Sequence, residues 1–465
     1  MSEYDVVVIG AGPGGYITAI RASQLGLKAA VVEKEFLGGI CLNVGCIPSK
    51  SLLKNAELAH TLRERADEFG ISFDNLKLDF AAAVDRSRKV SKRLTQGVAF
   101  LMKKNKIDVY MGTAKLTAKD KVQVSDADGK VQELSAKNIV IATGSHAAMI
   151  PGVKVDGEKV VSFWEAILQT KRPESVVIIG AGAIGAEFAT VWSAYGTQVT
   201  MVEMLPRILP VEDEETSAEL TKAFKKRGIN MMTSTKVLGV ETTASGVKVK
   251  VSQDGQETTL EADQALVAIG FRPNTADLGL ETAGVELNER GFIKIDDRMA
   301  TNVPGIYAIG DVTGKMLLAH VAMTMGVNCA EAIAGKEVQP LEYIMMPRAT
   351  YCQPQVASFG YTEAQAKEKG YEIKVGRFNF QPNGKALGLG ESTGWVKIIS
   401  DAKYGEILGA HMIGADVSEL LPELTLAHNM ELTAEEIARN VHAHPTLSEV
   451  LLEAAHGVNC SPLHS

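Results

Sequence analysis

Cysteine is scarce in this chain, and long apolar or basic runs are absent. Only 5 of the 465 residues are cysteine, which is too few for the disulfide framework of a secreted protein of this size. No uninterrupted apolar stretch reaches the length of about 18 residues that would predict a membrane-spanning helix. The net charge is −8 without a basic cluster, which argues against nucleic-acid binding. The first residues lack the basic and apolar regions of a targeting segment, so we expect a cytoplasmic protein.

The length of the chain exceeds what one hydrophobic core normally supports, and about three domains are expected. The composition, 46% hydrophobic and 22% charged, is that of ordinary globular domains.

A dinucleotide-binding fingerprint opens the chain. Residues 4–9 form a β-branched run, which predicts a buried parallel strand. Gly10, Gly12 and Gly15 follow, then a helical stretch, then a second strand that ends at Glu33. The glycines permit a tight turn and close approach of the backbone to a pyrophosphate at the helix N-terminus, and Glu33 can accept from a ribose hydroxyl. This order of elements predicts a dinucleotide-binding domain.

The same fingerprint occurs again 170 residues later. Gly180, Gly182, Gly185 and Glu203 repeat the pattern, and the first glycine precedes the acid by 23 residues in both copies. The repeat indicates either two bound dinucleotides or one dinucleotide and one degenerate copy. Because both copies contain every key residue, we expect two. Glu203 would repel the 2′-phosphate of NADP, so NAD is predicted for the second site, although Arg207 lies nearby.

Two cysteines lie close together just after the first fingerprint. Residues 38–50 have the sequence GGICLNVGCIPSK. In a regular helix, Cα atoms five residues apart are about 8.7 Å from each other, whereas a disulfide requires about 4.4–6.8 Å. Because Gly45 permits an irregular backbone, we expect a break in the helix and a redox pair of Cys41 and Cys46. An ammonium group at Lys50, one turn after Cys46, would favour a reactive thiolate.

The alternative interpretations are two buried structural cysteines or half of a metal site. The other three cysteines, Cys329, Cys352 and Cys460, are scattered, so no second closely spaced cysteine pair is present to complete a zinc site. A flavin at the adjacent first fingerprint could exchange electrons with a disulfide, which a nicotinamide does less naturally.

Two acidic residues each have two possible roles. Asp311 follows the apolar segment 305–310 and can accept from a ligand hydroxyl or only cap the next helix. Glu449 follows His444 at the start of the final predicted helix. It can orient the imidazole and stabilise its charged form, or only complete a capping box with Thr446.

In combination these motifs resemble those of the dihydrolipoamide dehydrogenase family, which are FAD-dependent disulfide oxidoreductases. The resemblance covers both fingerprints, the segment 38–50, Gly310 with Asp311, and residues 444–446, in that order along the whole chain. It implies oxidation of dihydrolipoamide on a carrier protein, with FAD and NAD as cofactors. It also implies a homodimer and, as partners, the lipoyl-carrying E2 or H-protein of oxo-acid dehydrogenase or glycine cleavage complexes.

The resemblance implies a role for each matching residue. Cys41 would exchange with the substrate and Cys46 would face the flavin. Lys50 would lie near the flavin and pair with Glu187, and His444, contributed by the other subunit and oriented by Glu449, would be the catalytic base. The FAD-binding residues would be Gly10, Gly12, Gly15, Glu33, Gly39, Lys50, Gly112, Thr143, Gly144, Ser145, Asp311 and Ala319. The NAD-binding residues would be Gly180, Gly182, Gly185, Glu187, Glu203, Val237 and Gly270.

The predicted fold class is α/β, with two Rossmann-like dinucleotide-binding domains and a C-terminal α+β dimerisation domain. The predicted domains are FAD-binding 1–150, NAD-binding 151–271, a central segment 272–342 that returns to the FAD domain, and an interface domain 343–465. Alternative functions are a related flavin disulfide reductase acting on glutathione disulfide or mercuric ion, or a flavoprotein scaffold without turnover.

Overall fold

The computed structural model describes residues 3–464; residues 1, 2 and 465, at the outer limits of the predicted first and last domains, lie outside this part. The described chain forms two compact units. The first contains the residues up to Ser51, Ala81–Ala148 and Gly270–Tyr343. The second contains Leu52–Phe80, Met149–Ile269 and the residues from Ile344 onward.

Helices and strands alternate through most of the described chain. The helices α1 to α14 are Pro13–Gln24, Gly39–Asn43, Cys46–Glu64, Phe80–Lys104, Phe163–Leu168, Ala183–Ala194, Glu214–Lys226, Leu280–Ala283, Ala319–Ile333, Glu363–Glu368, Gly384–Leu389, Leu421–Asn429, Ala434–Arg439 and Glu449–Asn459. The strands β1 to β22 are Tyr4–Ile9, Ala29–Glu33, Asp108–Met111, Thr113–Ala118, Lys121–Ser125, Val131–Ile141, Ser145–Ala147, Val160–Val161, Ser175–Ile179, Gln198–Val202, Asn230–Met232, Thr235–Thr242, Val247–Gln253, Gln256–Ala262, Gln264–Val267, Phe271–Pro273, Ile306–Ala308, Arg348–Thr350, Gln355–Gly360, Ile373–Asn379, Trp395–Asp401 and Ile407–Gly414.

The main sheet of the first unit is built around the first fingerprint. Strands β3, β2, β1, β6 and β17 are parallel, and β6 continues into antiparallel pairing with β5, which pairs with β4. Val7 lies in register between Ala30 and Ile139, and all three side chains are fully buried. The uninterrupted apolar run of β1 is therefore explained by a strand covered on both faces.

Helices α1 and α9 pack closely because glycines lie at their contact. A Cβ atom at Gly14 would be 2.9 Å from the carbonyl oxygen of Ala322, and one at Gly326 would be 2.6 Å from Thr18 Oγ1. A larger residue at either position would push the two helices apart.

The second unit contains the second fingerprint and the C-terminal region. Strands β11, β10, β9, β15 and β8 form a parallel sheet, and β12, β13 and β14 form an antiparallel one. Strands β18, β19, β22, β21 and β20 form a five-stranded antiparallel sheet, whose apolar core includes residues from α12, α13 and α14. The predicted fold class, α/β with an α+β region at the C-terminus, is confirmed.

A buried lysine joins α7 to the C-terminal sheet within this unit. The side chain of Lys397 on β21 is only 2% exposed. Its ammonium group lies 3.0 Å from Asp213 Oδ1, 2.8 Å from Glu215 Oε2 and 2.9 Å from Glu363 Oε1. Burial alone lowers the pKa of Lys397, but the three carboxylates more than reverse this effect, so the amine stays charged.

Candidate active site

Of the three fingerprint glycines, Gly10 and Gly15 pack tightly against neighbouring backbone, whereas Gly12 does not. A Cβ atom at Gly10, where φ is +103°, would collide with the carbonyl oxygen of Ala142, and one at Gly15 would collide with that of Gly10. No atom lies within 4 Å of a Cβ built on Gly12, which is the N-cap of α1. The loop therefore leaves space where a pyrophosphate would approach the helix N-terminus.

The acid at the end of β2 is held in place by the same loop. Glu33, 8% exposed, accepts the Ala11 N–H at 2.7 Å and the Glu35 N–H at 2.9 Å, one on each carboxylate oxygen. Each oxygen retains a further acceptor position, so the carboxylate can also take a ribose hydroxyl. These features fit FAD, the dinucleotide predicted for this site.

The second fingerprint repeats this geometry. Glu203 accepts from the Ala181 N–H at 2.8 Å and from the Leu205 N–H at 2.9 Å, and these donors lie 170 residues after those of the first copy. Gly180 has a φ of +102° and Gly182 again faces open space. The second copy therefore has an intact binding loop rather than a degenerate one.

The remaining predicted NAD residues lie at different positions in the fold. Gly185 packs against the carbonyl oxygen of Gly180 so closely that a Cβ would collide with it. Val237 lies on β12 opposite Val251, and Gly270 precedes β16 with a φ of +113°.

The redox stretch contains the predicted break in the helix. Helix α2 ends at Asn43 and α3 begins at Cys46, so the two cysteines lie on different helices. A Cβ on Gly45 would lie 3.0 Å from the carbonyl oxygen of Ile40 and 3.3 Å from the Cα of Cys41. The close approach of the two helix ends therefore depends on glycine at this position.

The start of α2 packs directly on the first glycine loop. Gly38 donates to the carbonyl oxygen of Ala11 at 2.8 Å. A Cβ at Gly39, where φ is +58°, would lie 2.7 Å from the Cα of Gly12. The redox stretch is thus placed beside the loop that fits the pyrophosphate.

Cys41 and Cys46 are free thiols whose side chains are joined by a hydrogen bond. This bond, followed by burial and the charge of Cys46, raises the pKa of the Cys41 thiol, whereas the Lys50 ammonium group acts in the opposite direction. While this bond is in place, the Cys41 thiol therefore ionises less readily than a free thiol.

The structure places Tyr16 beside this pair, a neighbour that the sequence motifs did not identify. Tyr16 lies on α1, and its pKa is raised by burial and, to a lesser extent, by the charge of Cys41. The signal available in the sequence was only its position next to the glycine fingerprint.

Asp311 is held by Ser145. The Ser145 hydroxyl donates to Asp311 Oδ2 at 2.7 Å, and burial raises the pKa of Asp311 while this bond offsets part of the rise. Asp311 lies inside the 3₁₀ turn Gly310–Thr313, whose N-cap is Ile309 and which has no side-chain cap. A carboxylate held in this way fits acceptance from a ligand hydroxyl better than helix capping.

The loop before Ser145 is fixed by Asn274, which sequence reasoning missed. Asn274 donates its side-chain amide to the carbonyl oxygen of Thr143 at 2.9 Å and its backbone N–H to that of Gly144 at 3.0 Å. Thr143 Oγ1 donates in return to the carbonyl oxygen of Asn274 at 2.8 Å. Gly144, with a φ of +69°, faces open space, which is consistent with a ligand-facing backbone.

The other predicted FAD residues lie at element ends of the first unit. Gly112 follows β3 and donates its N–H to the carbonyl oxygen of Glu33 at 2.8 Å. Ala319 is the first residue of α9. Glu187, predicted to pair with Lys50, lies on α6 in the second unit, is 8% exposed and accepts the Tyr351 N–H at 3.0 Å; its pairing with Lys50 stays a prediction.

Glu449 contacts both of its predicted partners. One carboxylate oxygen lies 2.8 Å from His444 Nδ1, and the other accepts the Thr446 N–H at 2.8 Å. Burial raises the pKa of Glu449, but these bonds outweigh it and leave the pKa below its usual value. The capping box is incomplete, because the Thr446 hydroxyl donates to the carbonyl oxygen of Ala443 at 2.7 Å. The imidazole of His444 is 78% exposed and is therefore open to a further partner.

Two family models cover nearly all of the chain. The pyridine nucleotide-disulphide oxidoreductase model matches residues 4–326, and the dimerisation-domain model of the same family matches residues 346–455. The chain belongs to the pyridine nucleotide-disulphide oxidoreductase family, and it is an oxidoreductase that uses FAD and NAD.

Within this family, the chain is similar to dihydrolipoyl dehydrogenases over nearly its full length. The chain is 55% identical to a dihydrolipoyl dehydrogenase of Mycobacterium leprae, with 98% of each chain covered. It is 52% identical to the dihydrolipoyl dehydrogenase of Corynebacterium glutamicum, again with 98% of each chain covered. The resemblance inferred from the motifs is confirmed.

Solved structures share the complete fold. LpdA from Mycobacterium tuberculosis superposes with a TM-score of 0.91 at 26% identity, over 97% of this chain and 99% of that one. The HOCl-induced flavoprotein disulfide reductase RclA from Escherichia coli, solved as a Cu(II) complex, superposes with a TM-score of 0.87 at 25% identity, over 98% and 99%. Among the residues that the structure describes, no helix is long and apolar enough to cross a membrane.

Proposed function

We propose that this enzyme is an NAD-dependent dihydrolipoyl dehydrogenase that oxidises dihydrolipoamide on a carrier protein. The observation that carries the proposal is the hydrogen-bonded pair of Cys41 and Cys46, held against a glycine loop shaped for a dinucleotide by the bond from Gly38 to Ala11. In the overall reaction, the dithiol loses two hydrogens to become lipoamide, and NAD⁺ becomes NADH with release of one proton.

The two cysteines divide the thiol chemistry between them. In the oxidised enzyme, a substrate thiolate attacks the sulfur of Cys41, a mixed disulfide forms, and Cys46 leaves as a thiolate. The second substrate thiolate then attacks the substrate sulfur of the mixed disulfide, which closes lipoamide and releases Cys41. The hydrogen bond between the two thiols supports this proposal, because it shows that the sulfurs lie close enough to exchange a disulfide. FAD, when bound, accepts the electron pair of the dithiol and supplies it as hydride to NAD.

His444 of the partner subunit is proposed as the base that removes the substrate thiol proton. The bond from Glu449 to Nδ1 supports this role, since it fixes the ring tautomer with Nε2 free to accept and stabilises the imidazolium that forms. The exposure of the ring is consistent with action on a site outside its own subunit.

The remaining assignments follow the same proposal. FAD would be held by the first glycine loop, Glu33 and Asp311, and NAD by the second loop and Glu203. We propose domain limits of 1–150 and 272–342 for the FAD domain, 151–271 for the NAD domain and 343–465 for the interface domain. The dimerisation-domain match supports a homodimer. A cytoplasmic location and a lipoyl-carrying E2 or H-protein as partner complete the proposal.

The test is NADH formation from NAD and dihydrolipoamide by the FAD-loaded protein. We expect turnover in the wild-type enzyme, none in Cys41→Ser or Cys46→Ser, and wild-type turnover in Cys460→Ser, whose thiol is exposed and outside the site. Absence of NADH formation with every substrate tested, in the FAD-loaded wild-type protein, would instead support a scaffold without turnover. Preferential turnover of glutathione disulfide or mercuric ion would support a related reductase.

A further inference from the structure

Helix α14 carries a second buried carboxylate that the proposed reaction does not use. The side chain of Glu453 is 6% exposed and follows Glu449 by one helical turn. Its oxygens accept the Leu463 N–H at 2.6 Å and the His464 N–H at 3.3 Å, and lie 2.6 Å from His464 Nδ1. A buried carboxylate requires such partners, and these bonds tie the C-terminal residues Leu463 and His464 to α14.

The chain reverses direction after α14 to make these bonds. The helix ends at Asn459, and His464 returns to a side chain eleven residues earlier in the sequence. Gly457 lies beside the returning segment, and a Cβ there would be 3.5 Å from Pro462 Cγ. This is an ordinary van der Waals distance, so the returning segment lies directly against the helix.

Two histidine–carboxylate pairs consequently lie one turn apart on α14. Glu453 and, to a smaller extent, Glu449 raise the pKa of His464 above its usual value, against a small opposing effect of burial. His444 and His442 also lie near Glu449, and His442 contacts Glu423 through Nε2 at 3.0 Å. His464 thus adds a cation to the side of α14 that holds the catalytic pair.

We propose that His464 is a positioning residue whose charge keeps the Glu449–His444 pair in the state with a neutral imidazole, ready to accept the substrate proton. The proposal rests on the proposed function of His444. A positive charge one helical turn from Glu449 reduces the electrostatic stabilisation that this carboxylate gives to a protonated imidazole. Without the positive charge of His464, the negative charge of Glu453 would not be neutralised. Glu453 and Glu449 would then together stabilise the protonated form of His444.

The kinetic test compares the wild-type enzyme with one variant that has a neutral side chain at position 464 and one that has a cationic side chain there. In His464→Gln, the acid limb of the pH profile of kcat/KM for dihydrolipoamide should move up by a few tenths of a pH unit, the size of effect expected from one exposed charge in water. His464→Lys retains a cation and should keep the wild-type limb. Identical limbs in all three enzymes would overturn the proposal, and so would an equal shift in both variants, since the effect would then be structural.

Carboxypeptidase release of the last residues tests the anchor without any dependence on turnover. A raised pKa of His464 means that the ionic part of the anchor is fully present below the usual histidine value of about 6.5 and is lost as the pH rises through the raised value, while the two backbone bonds to Glu453 remain. Release from the wild-type dimer should therefore accelerate with rising pH, and release from Glu453→Ala, which removes every acceptor, should be rapid throughout. Equal release from both proteins would contradict the anchor. A wild-type enzyme without dihydrolipoamide turnover would overturn the proposed function, while this assay would still decide the anchor.

Discussion

At the scale of single residues, Glu449 shows that one carboxylate can serve two purposes. Its two oxygens contact different partners, the imidazole of His444 and the backbone N–H of Thr446. The sequence offered these as alternatives, but the structure contains both, because a carboxylate has two oxygens at a separation that spans the ring and the backbone.

Glu449→Gln separates the two roles. The amide oxygen can still accept from a backbone N–H, but it carries no charge to stabilise the His444 imidazolium. We expect kcat/KM for dihydrolipoamide to fall by about 10²-fold or more, with a change in unfolding free energy below about 1 kcal/mol. Steady-state kinetics and urea unfolding provide the measurements.

Thr446→Ala is the matched control for that variant. It retains the backbone N–H and the Glu449–His444 contact, so its kcat/KM should stay within a few-fold of wild type. Full activity in Glu449→Gln would show that the carboxylate only supports the helix start.

The second glycine of each fingerprint yields a residue-scale prediction with an internal control. A Cβ at Gly12 or Gly182 meets no protein atom, so both alanine variants should fold, with thermal unfolding midpoints close to wild type. Gly12→Ala should lose FAD on gel filtration, because the methyl group occupies the space of the pyrophosphate. Gly182→Ala should retain FAD and instead raise the KM for NAD by about tenfold or more. Unchanged cofactor binding in both variants would show that the loops do not contact dinucleotides.

At the scale of elements, the important feature is the gap between α2 and α3. It allows Cys41 and Cys46 to lie on separate helices and yet remain in hydrogen-bond contact. Gly45 makes this possible because the carbonyl oxygen of Ile40 and the Cα of Cys41 approach it closely.

Gly45→Ala should therefore impair the redox pair. A methyl group only 3.0 Å from the Ile40 carbonyl oxygen must push the helix ends apart, and displacements of about 1 Å can cost up to 10²-fold in rate. We expect turnover to fall by about tenfold and reoxidation of the thiols, measured with a thiol reagent, to slow in parallel.

Gly97→Ala is the matched control for the glycine substitution. Gly97 lies on α4 with open space around it, so alanine should leave turnover unchanged and stabilise the helix by up to about 1 kcal/mol. Wild-type turnover in Gly45→Ala would mean that the glycine is not needed for the geometry of the pair.

At the scale of the whole molecule, the second unit depends on a buried charge cluster. Lys397 faces three carboxylates that come from α7 and its N-cap and from α10. The cluster connects parts of the chain that are nearly two hundred residues apart, and the sequence contains no local signal for it.

Lys397→Met should leave the buried carboxylate of Asp213, 6% exposed, without its counter-charge. Removal of one partner from a buried ionic cluster typically costs about 3–5 kcal/mol, which urea unfolding can measure. Lys374→Met, on the exposed side of the neighbouring strand β20, should change stability by less than about 0.5 kcal/mol. A similar small effect in both variants would mean that the cluster contributes little to the fold.

The secondary structure was predictable where a local pattern determines it. The first strand was predicted at its observed limits, residues 4–9, and the second strand ends at Glu33 as predicted. The ribbon of β12 to β14 was missed although valine and lysine alternate along β13; in the two outer strands, β12 and β14, most side chains are partly or fully exposed and the pattern is weaker.

By itself, the sequence determined the two dinucleotide loops, the redox cysteines, the family and the fold class, because each depends on residue types at fixed short spacings. Only the tertiary structure decided that Glu449 holds His444, that Asp311 is bound by Ser145, that Asn274 fixes the neighbouring loop and that His464 returns to Glu453. These contacts join residues whose spacing follows no helix or strand period, so they exist only once the chain has folded.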